Sequence, residues 1–207
     1  MCLTAPEFIA AGKDVSLAIA GLTTAIVAVL GLKSWSRELR GKTSFEVARN
    51  MAKATYKLRD EVSLFRAPMV RASEFPDDYH TAGLKKAGDV VASGYGHVFA
   101  NRWQPVYAAL QEFDTQTLEA EALWGEAVRS KADVLRKLLV KLSAAIEAFI
   151  DNFASEGENF KSDKEFGRKI RSEVFAAPSD LKNPLTVEIV AAVKALEDEL
   201  RPHLRRD

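Results

Sequence analysis

Residues 15–32 carry no charged side chain, and that run narrows what the chain can become. A helix of 18 residues, rising about 1.5 Å per residue, spans roughly 27 Å, close to the thickness of a bilayer's hydrocarbon core. Its most polar members are Ser16, Thr23 and Thr24, whose hydroxyls can bond a carbonyl one turn earlier and so stay satisfied in lipid. No polar face recurs at helical spacing, as a helix lying flat on a membrane requires. A helix buried in a soluble core is the competing solution, because the run sits at the lower length limit for a span. A cleaved signal fits less well. Its basic residues precede the apolar stretch, whereas here they follow it.

The exit from the run, "AIVAVLGLKSWSRELRGKTS" (residues 25–44), carries Lys33, Arg37, Arg40 and Lys42 against one acid, Glu38, while Glu7, Lys13 and Asp14 precede the run. Basic excess belongs on the cytoplasmic side, which predicts an N-terminus outside and the bulk of the chain in the cytoplasm of a bacterial inner membrane. Trp35 falls where an indole favours the headgroup layer, so Lys33, Trp35, Arg37, Arg40 and Lys42 form the expected membrane interface. The stretch ends on Gly41-Lys42-Thr43, as a phosphate loop does. The first glycine of such a loop would fall at position 36, which is Ser36, and Arg37 to Arg40 are helix formers rather than a tight turn. A nucleotide loop is excluded. Within the run, Ser16, Ala20, Thr24 and Ala28 recur every fourth residue, the small-residue spacing that lets two spans pack closely in lipid. A homo-oligomer is therefore one expectation.

The remainder reads as all-α. Thr43-Ser44-Phe45-Glu46 has capping-box spacing, which predicts a new helix after a bend at Gly41. That helix carries Ala48, Met51, Thr55, Leu58, Val62 and Phe65 at alternating steps of three and four, and Pro68 ends it. Residues 69–83 read as a loop, and a second helix over 84–113 is interrupted by glycines and kinked at Pro105. Val128, Ala132, Leu135, Leu139, Leu142, Ile146, Phe149 and Phe153 hold the same alternation for more than three heptads. A less regular stretch with Phe160, Phe166, Ile170 and Phe175 follows. Asn183-Pro184 then opens a last helix bearing Leu185, Ile189, Val193, Leu196 and Leu200. Without a strand signal, these stripes can be buried only against one another. The expected fold is an N-terminal transmembrane helix followed by an antiparallel bundle of about four helices. The division is a short segment (1–14), the span (15–32), a basic linker (33–42) and the bundle (43–207).

"WSRELRGKTSFEVARNMAKATYKLRDEVSLFRAP" (residues 35–68), "RWQPVYAALQEF" (102–113) and "EALWG" (121–125) resemble segments of uncharacterised bacterial proteins with one N-terminal span and a cytoplasmic helical domain. The resemblance implies a membrane-anchored helical protein and transfers no catalytic residue.

Sites for chemistry are sparse. With 29 basic and 29 acidic residues, the chain has no overall field to attract nucleic acid, and none is expected as a partner. Cys2 is the single cysteine, which precludes an internal disulfide and leaves no base beside a would-be nucleophile. His80, His97 and His203 lack the spacing that puts two ligands on one helical face. Ser93-Gly94-Tyr95-Gly96 lacks the strand and third glycine of a phosphate cradle. No cofactor, metal or catalytic residue is expected, and the chain does not read as an enzyme. Arg59, Arg66 and Arg71 are the candidate strip for docking an anionic partner, against the plainer reading of a solvated face with local ion pairs. The function expected is a non-enzymatic adaptor, sensor or scaffold binding the bilayer and a protein partner. The alternative is a membrane-active effector of toxin, holin or defence type.

Replacing Val27 and Leu30 with arginine is expected to release the chain from the membrane fraction. Each central charge costs about 2.5–3.5 kcal/mol on insertion scales. Fractionation followed by carbonate extraction checks it.

Overall fold

The computed structural model describes residues 5–81, 87–177 and 180–204, with the side chains of 5–16 and 18 excepted. The expectations resting on Cys2 and on the Ser16 side chain lie outside what is described. Among the described residues there are seven helices and no strand: α1 (Ala5–Phe65), α2 (Asp77–Thr81), α3 (Gly88–Trp124), α4 (Glu126–Ala154), α5 (Glu158–Ser162), α6 (Lys164–Val174) and α7 (Pro184–Leu204). A 3-10 turn, Ala72–Glu74, lies between α1 and α2. The chain divides into two compact units, Met1–Phe45 and Glu46–Asp207.

In the first unit α1 is long and apolar enough to cross a membrane, and among the described residues it is the one helix that is. Leu17, Ile19, Leu22, Ile26, Val27, Val29, Leu30 and Leu32 are all exposed, at 52–66%. The Thr23 hydroxyl donates to the Ile19 carbonyl at 2.8 Å and Thr24 to Ala20 at 2.9 Å, the back-bonding expected of hydroxyls in an apolar helix. The predicted break at Gly41 is absent. Thr43 does not cap a new helix, since its hydroxyl donates to the Leu39 carbonyl at 3.0 Å and helical structure continues through it. A glycine inside a helix costs only about 1 kcal/mol relative to alanine, too little to break a segment flanked by strong helix formers.

In the second unit the predicted stripes of α1, α4 and α7 face inward, whereas Phe166 of the stretch after α4 is exposed. Ala48, Met51, Leu58, Val62 and Phe65 of α1 are 0–2% exposed, and Thr55 is buried with its hydroxyl donating to the Met51 carbonyl at 2.8 Å. They join one core with Val106 and Phe113 of α3, Val128 to Phe149 of α4, and Leu185 to Leu200 of α7. The α4 helix is central, touching α3, α5, α6 and α7. Ion pairs flank the core: Lys57–Glu112 at 2.7 Å, Arg136–Asp114 at 2.7 Å, Lys141–Glu188 at 2.9 Å, and Lys131–Glu199. At one end the stripes finish in aromatic rings. Tyr95 stacks on Phe153 at 4.7 Å, and Phe149 meets Phe99 and Phe175 edge-on at 5.9 and 5.2 Å.

Three sequence expectations need correction. Residues 69–83 are not simply a loop, because the 3-10 turn and α2 lie within them. The helix expected over 84–113 starts at Gly88 among the described residues and runs unbroken past its glycines and Pro105 to Trp124. Gly94 marks a close approach rather than a break: a Cβ there would stand 2.4 Å from the Tyr79 ring. Helices α3 and α4 meet at Gly125, whose φ of +81° favours glycine and whose N–H donates to Glu121 at 2.8 Å. The less regular stretch after α4 contains α5 and α6. The start of α7 matches expectation, with the Asn183 side chain accepting from the Thr186 N–H at 3.1 Å.

Leu142 is 0% exposed and Val140 on the same helix 69%. Leu142→Ala should lower stability by about 2–5 kcal/mol, and Val140→Ala should shift it by no more than about 0.5 kcal/mol. Chemical unfolding of the two solubilised variants measures the contrast.

Candidate functional site

Arg66 stands one residue beyond the end of α1, four after Val62, so helical spacing carries it onto the buried side. It is 3% exposed. Its Nε donates to the Glu173 carbonyl at 2.9 Å and its Nη2 to the Ser172 carbonyl at 3.0 Å. Both carbonyls belong to the last turn of α6, where backbone acceptors lack helical partners and a cation is favoured. Nη2 also donates to Asn183 Oδ1 at 2.8 Å, and Nη1 to Thr186 Oγ1 at 3.0 Å. The Arg66 carbonyl accepts from the Ala176 N–H at 2.9 Å. One residue thereby joins the end of α1 to the end of α6 and the start of α7.

All four acceptors of the guanidinium are neutral. Among the described residues no carboxylate lies within 4.0 Å of it. Glu173 offers Arg66 its backbone, while its carboxylate faces Lys141 at 3.6 Å. Burial pulls the guanidinium below the usual arginine range, opposed by the more distant charges of Glu173 and Asp180, and it remains a cation.

A cavity of about 340 Å³ opens beside it. Val62, Ala176, Ala177, Leu181, Ile189 and Val190 supply apolar wall; Arg59, Asp60, Ser63, Arg66 and Thr186 supply the polar part. Arg59 donates to Asp60 at 2.8 Å and lies over the Tyr56 ring at 5.0 Å. A second, open hollow of about 430 Å³ lies along α6, lined by Lys164, Arg168 and Arg171 beside Phe160.

The expected docking strip does not form. Arg59 is partnered with Asp60 at the cavity, Arg66 is buried in backbone contacts, and Arg71 lies exposed at the 3-10 turn with its N–H donating to Glu74 at 2.8 Å. Shared helical spacing put Arg59 and Arg66 on one face, but that face turns toward α6 and α7. Of the expected membrane-interface residues, Lys33, Trp35, Arg37, Arg40 and Lys42 are all exposed, and Lys42 pairs with Glu38 at 2.8 Å. The histidines stand apart: His80 contacts the Ala72 carbonyl at 3.0 Å, His97 the Asn101 amide at 2.9 Å, and His203 stacks on Trp124 at 4.1 Å.

Sequence reasoning missed a second arginine. Arg102 reaches from α3 to the chain leaving α1, donating to the carbonyls of Ala67 at 2.9 Å and Met69 at 2.7 Å and to both carboxylate oxygens of Glu74 at 2.5 and 2.9 Å. No periodic signal pairs residues 74 and 102. Compared with protein-family models, curated proteins and solved structures, the chain matches none.

Hydrogen bonding to Arg102 holds the Glu74 carboxyl below the usual carboxylate range. A lowered folded-state pKa means that the stabilisation is present above the ordinary carboxylate range and is lost as pH falls through the lowered value. Glu74→Gln should cost about 1–2 kcal/mol at neutral pH and flatten this part of the acid limb. Unfolding followed from neutral to acid pH reads both effects.

Proposed function

We propose that the protein is a single-pass protein of the bacterial inner membrane whose C-terminal helical domain serves, on the cytoplasmic face, as a non-enzymatic adaptor, sensor or scaffold. The observation that carries this reading is the exposure of the described apolar side chains between 17 and 32. A core helix would bury such side chains against its own fold, and a continuous exposed apolar surface calls for lipid or a partner to cover it. The basic exit at Lys33, Arg37, Arg40 and Lys42 supports an orientation with the domain inside.

The domain is read as an antiparallel bundle built on residues 46–65 of α1 with α3, α4 and α7. Support comes from the direction of its side-chain pairs. Lys131 pairs with Glu199 and Lys141 with Glu188, so numbering rises along α4 as it falls along α7. Lys57 pairs with Glu112 while Phe65 meets Phe99 at 5.8 Å and Trp103 at 5.1 Å. Asp114 pairs with Arg136 while Tyr95 meets Phe153.

A reporter active only in the cytoplasm, fused after Asp207, should be active, and the protein should resist carbonate extraction. Neutralising Lys33, Arg37, Arg40 and Lys42 together, with basic residues added before Asp14, should weaken or invert the reporter signal. Cells overexpressing the chain should retain a membrane-impermeant dye. Dye leakage would instead assign it to the membrane-active effectors.

A further inference from the structure

We infer that the cavity beside Arg66 is a binding site for a short-chain monocarboxylate, with the carboxylate on Arg66 and the alkyl tail along Val62, Leu181, Ile189 and Val190. This inference stands apart from where the protein resides.

The Arg66 guanidinium has no carboxylate among the described residues within hydrogen-bonding distance. A buried cation is ordinarily paired, because removing it from water without a counter-charge is costly. Arg66 is 3% exposed and has only neutral acceptors. A guanidinium carries five N–H donors in a fixed fork. Four hydrogen bonds to described residues leave one Nη1 hydrogen without a described acceptor. Of the four groups that accept from the guanidinium, Thr186 is the one that also lines the cavity, and it accepts from Nη1. The unused donor therefore sits on Nη1, the nitrogen that also bonds the cavity-lining Thr186.

The lining sets the class of anion. Among the lining residues two guanidinium groups, Arg59 and Arg66, and one carboxylate, Asp60, leave a single positive charge, with Asp180 acting on Arg66 from further away and Glu173 facing Lys141. One negative charge balances it, whereas a dianion would meet Asp60 uncompensated. The walls away from the charges are aliphatic, which a hydrated inorganic anion cannot use. A volume of about 340 Å³ lies at the small end of ligand pockets, which begin near roughly 300 Å³. Those features together select a small amphiphile with one carboxylate.

The test is isothermal titration of hexanoate into the full chain in lipid nanodiscs, with heat from empty nanodiscs subtracted. Saturable binding of one hexanoate per chain is expected, with hexanol, hexylamine and inorganic phosphate each at least tenfold weaker. Ser63→Trp, which fills the cavity from α1, should weaken hexanoate at least tenfold. Val190→Trp does the same from the exposed rim of α7, and it carries the test if the Ser63 variant loses its helical circular dichroism. The inference is overturned if no saturable heat exceeds the empty-disc control. It is also overturned if hexanol binds as tightly as hexanoate, if phosphate matches it, or if a folded tryptophan variant binds like the parent.

Discussion

The second unit depends on a guanidinium held by backbone. Arg66 leaves the end of α1 and gives two of its hydrogen bonds to carbonyls in the last turn of α6. A helix end leaves its last carbonyls without intrahelical donors and concentrates partial negative charge there. Supplying a buried cation at that point satisfies both needs, and the fixed fork of arginine allows several acceptors to be reached at once. The same side chain meets Asn183, which caps the start of α7 and whose amide returns to the Ser172 carbonyl at 2.7 Å. Three helix ends thus converge on one residue. Arg102 repeats the device elsewhere, gathering carbonyls at and beyond the end of α1 with Glu74 as its counter-charge. The difference between the two is informative, because one arginine has a carboxylate and the other has a cavity.

Hydrophobic burial sets the frame in which those arginines work. The stripe of α4 from Val128 to Phe149 is sealed by α1, α3, α6 and α7, and its end is filled by rings rather than aliphatic chains. Edge-on and offset ring contacts have preferred geometries, so such a cluster fixes relative orientation more sharply than leucine packing alone. Interior hydroxyls do not disturb the core. Thr55 and Thr117 each donate to the carbonyl four residues earlier, at 2.8 Å.

Much of this was legible in the chain. The residues at steps of three and four in α1, α4 and α7 are the ones that pack inward, because burial on one side of a helix imposes that spacing directly. Periodicity says which face is buried but not what meets it. Arg66 was legible as a neighbour of Arg59 on a shared face, and its position four after Val62 was a sign of burial that its charge obscured. Several partners of Arg66 and Arg102 are backbone carbonyls, which leave no trace in residue identity. Thr43 illustrates a different ambiguity. A threonine after a glycine can cap a helix or bond back within one, and local sequence does not separate the two. The short helices α2 and α5 fall below the length at which periodicity is decisive, and α6 sits at its lower limit.

The partners of Arg66 lie 106 to 120 residues further along the chain. At synthesis rates of about 5–20 residues per second, that separation corresponds to a delay on the order of 5 to 25 s. Throughout that interval the stripe from Ala48 to Phe65 has been made, but the segments that bond the guanidinium have not. The nascent domain therefore passes through a stage in which its first apolar face is without its final neighbours, and closure awaits emergence of residues 172–186 from the ribosome. Truncation before α6 leaves the chain at that stage permanently, with a seam open to chaperones, proteases or other copies of itself.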